Sequence, residues 1–169
     1  TNCSNNYGPY QFPEKLVPHV ILSALKHERI PIYGDGSNIR DWLFVDDHVQ
    51  ALMFLLEKGE IGETYNVGGK CEKSNLEVVT NICSILDDLA GKTLEQPKKY
   101  DELITFVADR PGHDQRYAID ASKLESLGWR PSFNFDRGLH DTVSWYLNNE
   151  SWCDRVLDGS YKLTRKGLG

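Results

Sequence analysis

Three basic residues stand where a chain can present charge to an anion. Arg40 opens the run Arg40-Asp41-Trp42-Leu43-Phe44-Val45-Asp46-Asp47, directly after the turn-forming Gly34-Asp35-Gly36-Ser37-Asn38. Its guanidinium could grip a phosphate with a planar fork of donors, or simply pair with Asp41 or Asp46. Arg110 lies in Asp109-Arg110-Pro111-Gly112-His113-Asp114. Pro and Gly fix a tight loop there, which can present Arg110 and His113 to one side. Arg110 then suits a phosphate and His113 a base or ribose, against the plainer reading of two solvated side chains. Lys15 is expected in the first turn of a helix, where unpaired backbone N–H groups also favour an anion. A solvated lysine is its plainer reading.

Four uncharged candidates join them, each with a local explanation beside the binding one. Asn75 stands at a helix mouth, which helix entry alone would explain. Tyr33 ends a strand, where it could stack on a base or be half buried. Asn5 and Asn6 lie in the Asn- and Ser-rich opening segment and also suit turns. Whether the three basic groups converge is not written in the sequence.

Other chemistry is missing. Gly34-Asp35-Gly36 is followed by Ile39 where a dinucleotide fingerprint needs its third glycine, and by a strand rather than a helix. It is therefore a turn between strands. No Tyr is followed four residues later by Lys, and the nearest miss is Tyr161 with Arg165. No nucleophile elbow, zinc-protease helix or P-loop is present. No catalytic residue is expected in this chain. Cys3, Cys71, Cys83 and Cys153 show no C-x-x-C spacing, so free thiols are expected and no metal site.

The elements that position these residues follow from periodicity. A helix is expected from Pro13, with Leu16, Val17, Val20, Ile21, Ala24 and Leu25 on one face. Strands are expected at 30–33 and 41–45, then a helix capped by Asp46 or Asp47 with Val49, Leu52, Met53 and Leu56 inward. Thr64 to Val67 reads as a strand broken by Gly68-Gly69. Ser74-x-x-Glu77 is a capping box for a helix with Leu76, Val79, Cys83, Leu86 and Ala90 on its apolar side. Lys92 to Glu102 reads as a charged loop, and strands are expected at 104–108 and 116–119. Asp120 and Asp136 are expected to cap two further helices, the first ending at Gly128, the second with Leu139, Val143, Tyr146 and Leu147 inward. Trp145 and Trp152 are expected to pack. The alternation favours an α/β fold with a small mixed sheet. The tail from Asp158 is polar.

The 169 residues suit one domain or most of one. A net charge of -6 argues against a nucleic-acid surface, and no apolar run reaches membrane-spanning length.

In sequence order, Thr1 to Pro9, Phe12-Pro13-Glu14-Lys15-Leu16, Pro31-Ile32-Tyr33-Gly34 and Ile39-Arg40-Asp41-Trp42 are followed by Tyr65-Asn66-Val67-Gly68-Gly69 and Asn75-Leu76. The last segment is Ala108 to Asp114, running into Arg116-Tyr117-Ala118-Ile119-Asp120. This series resembles the dTDP-glucose 4,6-dehydratases of the extended short-chain dehydrogenase/reductase family, roughly from Thr1 to Tyr161. The Arg-Asp-Trp and Tyr-Asn-Val-Gly-Gly segments are shared with sister epimerases and decarboxylases. The opening segment and Asp109 to Asp120 are more particular to the dehydratases.

The resemblance implies a Rossmann-type α/β enzyme using NAD on a dTDP-sugar. Residues 1–157 would form its C-terminal nucleotide-sugar-binding half, with some strands and helices completing an upstream NAD-binding domain, and 158–169 a polar tail. Asn5 would contact substrate and Asn6 the cofactor. Lys15 and Leu16 would lie near the diphosphate, and Pro31, Ile32 and Tyr33 would line the thymine pocket. Arg40 and Arg110 would hold the diphosphate, with Asn75 and Asp109, Pro111, Gly112 and His113 completing the site. The family's glycine-rich loop and its catalytic Tyr, Lys, Asp and Glu would precede Thr1. The implied reaction is a redox-neutral dehydration to a 4-keto-6-deoxy sugar, in a cytoplasmic homodimer.

Overall fold

Ile39–Phe44, alternating between two apolar interiors, forms the longest strand among the described residues and organises the rest. A computed structural model describes residues 1–90 and 99–157. In chain order these form β1 (Asn2–Cys3), β2 (Asn5–Tyr7), α1 (Leu16–Leu25), β3 (Ile30–Tyr33), β4 (Ile39–Phe44) and α2 (Val45–Lys58). There follow β5 (Asn66–Val67), β6 (Glu72–Ser74), α3 (Asn75–Leu89), β7 (Ile104–Val107) and β8 (Arg116–Tyr117). Three helices close the described chain: α4 (Ser122–Ser126), α5 (Phe135–Leu147) and α6 (Glu150–Leu157). A 3-10 turn at Tyr100–Leu103 precedes β7. The α/β class read from the sequence is borne out. The rest of the expected charged loop, 91–98, and the polar tail, 158–169, lie outside the described residues.

β4 carries a mixed sheet. It pairs parallel with β2, Asn5 opposite Trp42, and parallel with β8, Arg40 opposite Tyr117. It pairs antiparallel with β6, Arg40 opposite Lys73. Two parallel pairs stand apart from it, β1 with β5 and β3 with β7. Side chains alternate across β4, so Trp42 and Phe44 enter the larger core between α1, α3 and α5, and Leu43 enters a smaller one with Ala51, Tyr65, Val67, Leu124 and Trp129. Fully burying side chains such as Ile21, Leu86 or Leu139 contributes about 1.5–3 kcal/mol each.

Several helix starts differ from expectation. Lys15 is the N-cap of α1, one residue before its first turn, and Pro13 lies outside the helix. Neither Asp46 nor Asp47 caps α2, whose N-cap is Phe44 without a side-chain bond. Asp47 turns inward and accepts from the N–H groups of Ser132 (2.9 Å) and Phe133 (3.0 Å) and the Ser132 hydroxyl (2.7 Å). The N-cap of α5 is Asn134, not Asp136, because the buried Phe135 must already be helical and Asn134 accepts from the Arg137 N–H at 2.8 Å. Ala121 is the N-cap of α4, although Asp120 accepts from the Ser122 N–H at 2.9 Å. The capping box at Ser74 and Glu77 forms as read.

The expected inward face of α2 points outward: Val49, Leu52, Met53 and Leu56 are exposed, Leu56 at 82%. Asp47 and Ala51 are buried instead, with Phe54 and Leu55 packed on the smaller core. Helix α6 was not anticipated. Its Trp152 meets Trp145 and Tyr10 edge-on, so both tryptophans pack. All four cysteines are free, and burial pushes the Cys83 thiol up to about 12. No described helix is long and apolar enough to cross a membrane.

Candidate functional site

β4 joins two clusters of the candidate residues. Arg40 and Trp42, two positions apart, face the same side of the strand. Asp41 faces the other side and anchors the backbone, accepting from the N–H groups of Gly69 (3.0 Å) and Cys71 (2.7 Å). A Cβ on Gly69 would collide with the Trp42 carbonyl, so this close approach requires glycine.

The first cluster gathers around the C-terminal end of β3. Gly34 and Gly36 adopt positive φ, which turns the chain sharply after Tyr33. The Tyr33 ring, half exposed, meets the His113 ring edge-on with centroids 6.4 Å apart. His113 Nδ1 lies 2.7 Å from Asp109 Oδ1, which also accepts from the Arg110 N–H at 2.8 Å. Hydrogen bonding from His113 and the Arg110 N–H holds the Asp109 carboxyl below the usual carboxylate range. The loop is tied to β4 by Asn38 Nδ2 to the Asp114 carbonyl (3.2 Å) and the Ile39 N–H to the Gln115 carbonyl (2.8 Å). Asn75 opens α3 beside the same turn, its N–H donating to the Asn38 carbonyl at 3.0 Å. Pro31 is part-buried in β3, and Ile32 is a core residue.

Arg40 is only 8% exposed, and its Nη1 donates to its own strand, at the Ile39 carbonyl, at 2.7 Å. Among the described residues no carboxylate comes within ion-pairing distance of it, so the pairing with Asp41 or Asp46 does not form. A buried guanidinium without a counter-charge is costly unless an anion is supplied. Arg110, Pro111 and Gly112 are exposed on the loop.

The second cluster lines a cavity of about 290 Å³ formed by Asn5, Asn6, Gln11, Lys15, Leu16, Val17 and Trp42. Lys15 lies 3.2 Å from Glu14 and is largely solvated. The Asn6 amide is held at both ends. Its Nδ2 donates to the Ser4 carbonyl at 3.0 Å, and its Oδ1 faces His48 Nδ1 at 2.8 Å. Thus Asn5, Asn6, Lys15 and Leu16 come together, while Tyr33, Asn75 and the Asp109 to His113 loop form the other group, and β4 links the two. A larger cavity of about 430 Å³ between α3 and α5, lined by Asn81, Ser84, Ile85, Asp136, Leu139 and His140, shares no residue with either. It lacks the buried cation and the loop donors, so the two clusters on β4 are the better candidate.

Sequence reasoning missed Gln11, Trp42 and His48 as site residues. Trp42 was visible in Arg-Asp-Trp, but nothing local told that its indole would reach a cavity. His48 and Asn6 meet across 42 residues of chain, a pairing no spacing rule exposes.

The GDP-mannose 4,6 dehydratase family model matches residues 1–142. The dTDP-glucose 4,6-dehydratase of Neisseria meningitidis serogroup B is 56% identical over 170 residues, covering 100% of this chain and 48% of its own length. The crystal structure of dTDP-glucose 4,6-dehydratase from Bacillus anthracis, in complex with NAD, is 48% identical and superposes with a TM-score of 0.78 over 91% of this chain and 46% of that one. The dTDP-glucose 4,6-dehydratase of Streptomyces venezuelae, solved with NAD bound, is 41% identical, with the same TM-score, over 91% of this chain and 45% of that one. The chain spans about half the length of the curated relatives it matches. The matched extent and the shared α/β architecture place this chain in the GDP-mannose 4,6 dehydratase family.

Proposed function

We propose that this chain is the C-terminal, nucleotide-sugar-binding half of an NAD-dependent dTDP-glucose 4,6-dehydratase, a lyase of deoxysugar biosynthesis. The buried, uncompensated guanidinium of Arg40 carries the reading. It sits on the strand that joins the Tyr33, Asn75 and Asp109 to His113 cluster to the Asn5, Lys15 and Leu16 cavity. A nucleoside diphosphate sugar has a base, two phosphates and a hexose, which suits a site with an aromatic end, a central cation and a polar cavity.

The roles divide accordingly. Pro31, Ile32 and Tyr33 flank the base. Arg40 and Arg110 hold the diphosphate, with Lys15 and the Leu16 N–H at its sugar end. Asn75 and Asp109, Pro111, Gly112 and His113 close the nucleotide site, and Asn5 reaches the sugar. Fixing the remote diphosphate and base orients the reacting sugar, and this binding energy lowers the barrier of the chemical step.

The described residues do not make a dinucleotide site of their own. Gly36 is packed, since a Cβ there would meet Ile32 and Leu76, so its turn offers no open phosphate cradle. Asn6 is the one residue assigned to the cofactor. The NAD-binding part and the catalytic groups are therefore assigned to the remainder of the enzyme. The exposed apolar stripe of α2 supports an intimate union with that remainder, in which α2 and neighbouring strands complete the cofactor domain. The resemblance adds a homodimer, and the free thiols fit the cytoplasm.

The test is incubation of the intact enzyme with NAD and dTDP-glucose, and in parallel UDP-glucose, followed by assay for a 4-keto-6-deoxy product. Turnover of the dTDP sugar alone is expected. Product from the UDP sugar alone would overturn the substrate assignment, and none from either would overturn the activity.

A further inference from the structure

The cavity beside β4 holds two polar atoms that the protein leaves unused. The Trp42 indole is 5% exposed, and its Nε1–H has no hydrogen-bond partner. Gln11 Oε1 is likewise buried and without a partner. Both residues line the cavity with Asn5, Lys15 and Leu16. Buried Trp N–H groups ordinarily find an acceptor, so an orphaned one beside a cavity asks for a ligand.

The orientation of Gln11 is not arbitrary. Its Nε2 donates to the Asn6 carbonyl at 2.7 Å, and a carbonyl can only accept. Oε1 is therefore the end left over, an acceptor. Trp42 leaves a donor. An apolar group would satisfy neither, and a phosphate oxygen could meet Trp42 but not Gln11. Hydroxyl groups both accept and donate, so they satisfy both.

We infer that Trp42 Nε1 and Gln11 Oε1 bind hydroxyls of the hexose and so discriminate the sugar, not the nucleotide. The inference rests on the function proposed above and adds two binding residues to it. Asn5, opposite Trp42 in the β2–β4 register, lies next to the same sugar position. A sugar lacking the matching hydroxyl would leave the two buried groups unpaired, which is how polar sites reject deoxy analogues.

Calorimetric titration of the intact enzyme with dTDP and, separately, with dTDP-glucose tests this, on wild type, Trp42→Phe and Gln11→Met. Phe keeps the ring packing and removes the N–H, and Met keeps the length and removes the acceptor. Both variants are expected to bind dTDP within about twofold of wild type and dTDP-glucose about three- to tenfold more weakly, the range of one neutral hydrogen bond each. Gln11→Glu, which keeps an acceptor at that place, is expected to lose less than Gln11→Met. Unchanged dTDP-glucose affinity in variants that melt cooperatively would overturn the inference, as would equal weakening of both ligands. A wild type that binds neither ligand would instead overturn the proposed function itself.

Discussion

His48 Nδ1 stands 2.8 Å from Asn6 Oδ1 and is the donor of that bond. The assignment follows from the other end of the Asn6 amide, whose Nδ2 is committed to the Ser4 carbonyl, leaving Oδ1 toward the imidazole. Helix α2 thereby fixes the one side chain of this chain assigned to the cofactor. His48→Gln retains an N–H donor and is expected to keep most of the activity, whereas His48→Leu should raise the KM for NAD several-fold. Steady-state kinetics at varied NAD separates this from a general loss of folded enzyme, which would lower kcat at constant KM.

Burial also lowers the His48 pKa below its ordinary value of 6.5. The folded state therefore holds this proton less readily than the unfolded state. As pH falls through 6.5, the unfolded chain takes up the proton first and stability declines until the lower folded pKa is passed. Thermal melts from pH 7.5 to 5 should show Tm falling less steeply in His48→Gln than in wild type. Parallel slopes in the two proteins would remove His48 as a source of the acid sensitivity.

Local signals were legible, and long-range ones were not. Ser74 and Glu77 form their capping box because both partners lie within one turn. The strands at β3 and β7 were readable from their apolar runs, but their parallel pairing was not. Helix α2 misled because it has two apolar stripes, Ala51 with Phe54 and Leu55, and Val49 with Leu52, Met53 and Leu56; periodicity cannot tell which one this chain buries. Asp46 and Asp47 looked like caps by type, yet Asp47 serves a loop 85 residues away. Lys15, Arg40 and Arg110 were each recognisable as anion ligands, while only tertiary structure separates the buried Arg40 from the solvated Lys15.

Arg40 should be the dominant anion ligand of this chain, because it alone of the three basic candidates is buried. Arg40→Met is expected to weaken dTDP binding by at least about tenfold, equivalent to about 1.4 kcal/mol, while leaving Tm unchanged or raised, since the apolar side chain removes a buried charge. Arg40→Lys should recover little, lacking the planar fork. Lys15→Met, at a solvated position, should cost less. Affinities from calorimetry and melting curves on the same preparations decide the order, and a lower Tm for Arg40→Met would show that the guanidinium is structural.

Asp47 makes the opposite kind of contribution. Its carboxylate, 1% exposed, gathers the Ser132 hydroxyl and two backbone N–H groups, so it pins the segment leading into α5 onto the start of α2. Asp47→Ala would strand those donors in the interior, at a cost of about 1–3 kcal/mol for each group left unsatisfied. A marked fall in Tm is expected with no change in dTDP affinity per folded molecule. Chemical denaturation should show the same loss, mainly as a faster unfolding rate if the contact forms late.

The outward stripe of α2 separates the behaviour of this chain alone from that of the whole enzyme. Val49, Met53 and Leu56 are 53%, 57% and 82% exposed on one helix face, a pattern that water does not favour. If the remainder of the enzyme covers that face, replacing all three by Lys should have opposite effects in the two contexts. The 169-residue chain produced alone should associate through the stripe, and the triple variant should turn it toward a monomer with little change in Tm, because no internal contact is lost. In the intact enzyme the same triple variant should lose several kcal/mol, since burying each of these apolar side chains contributes about 1.5–3 kcal/mol and the lysines would carry charge into the interface. Light scattering on the chain and denaturation of the enzyme read the two effects, and an intact enzyme indifferent to the substitutions would leave α2 facing solvent and rule out its place in the cofactor domain.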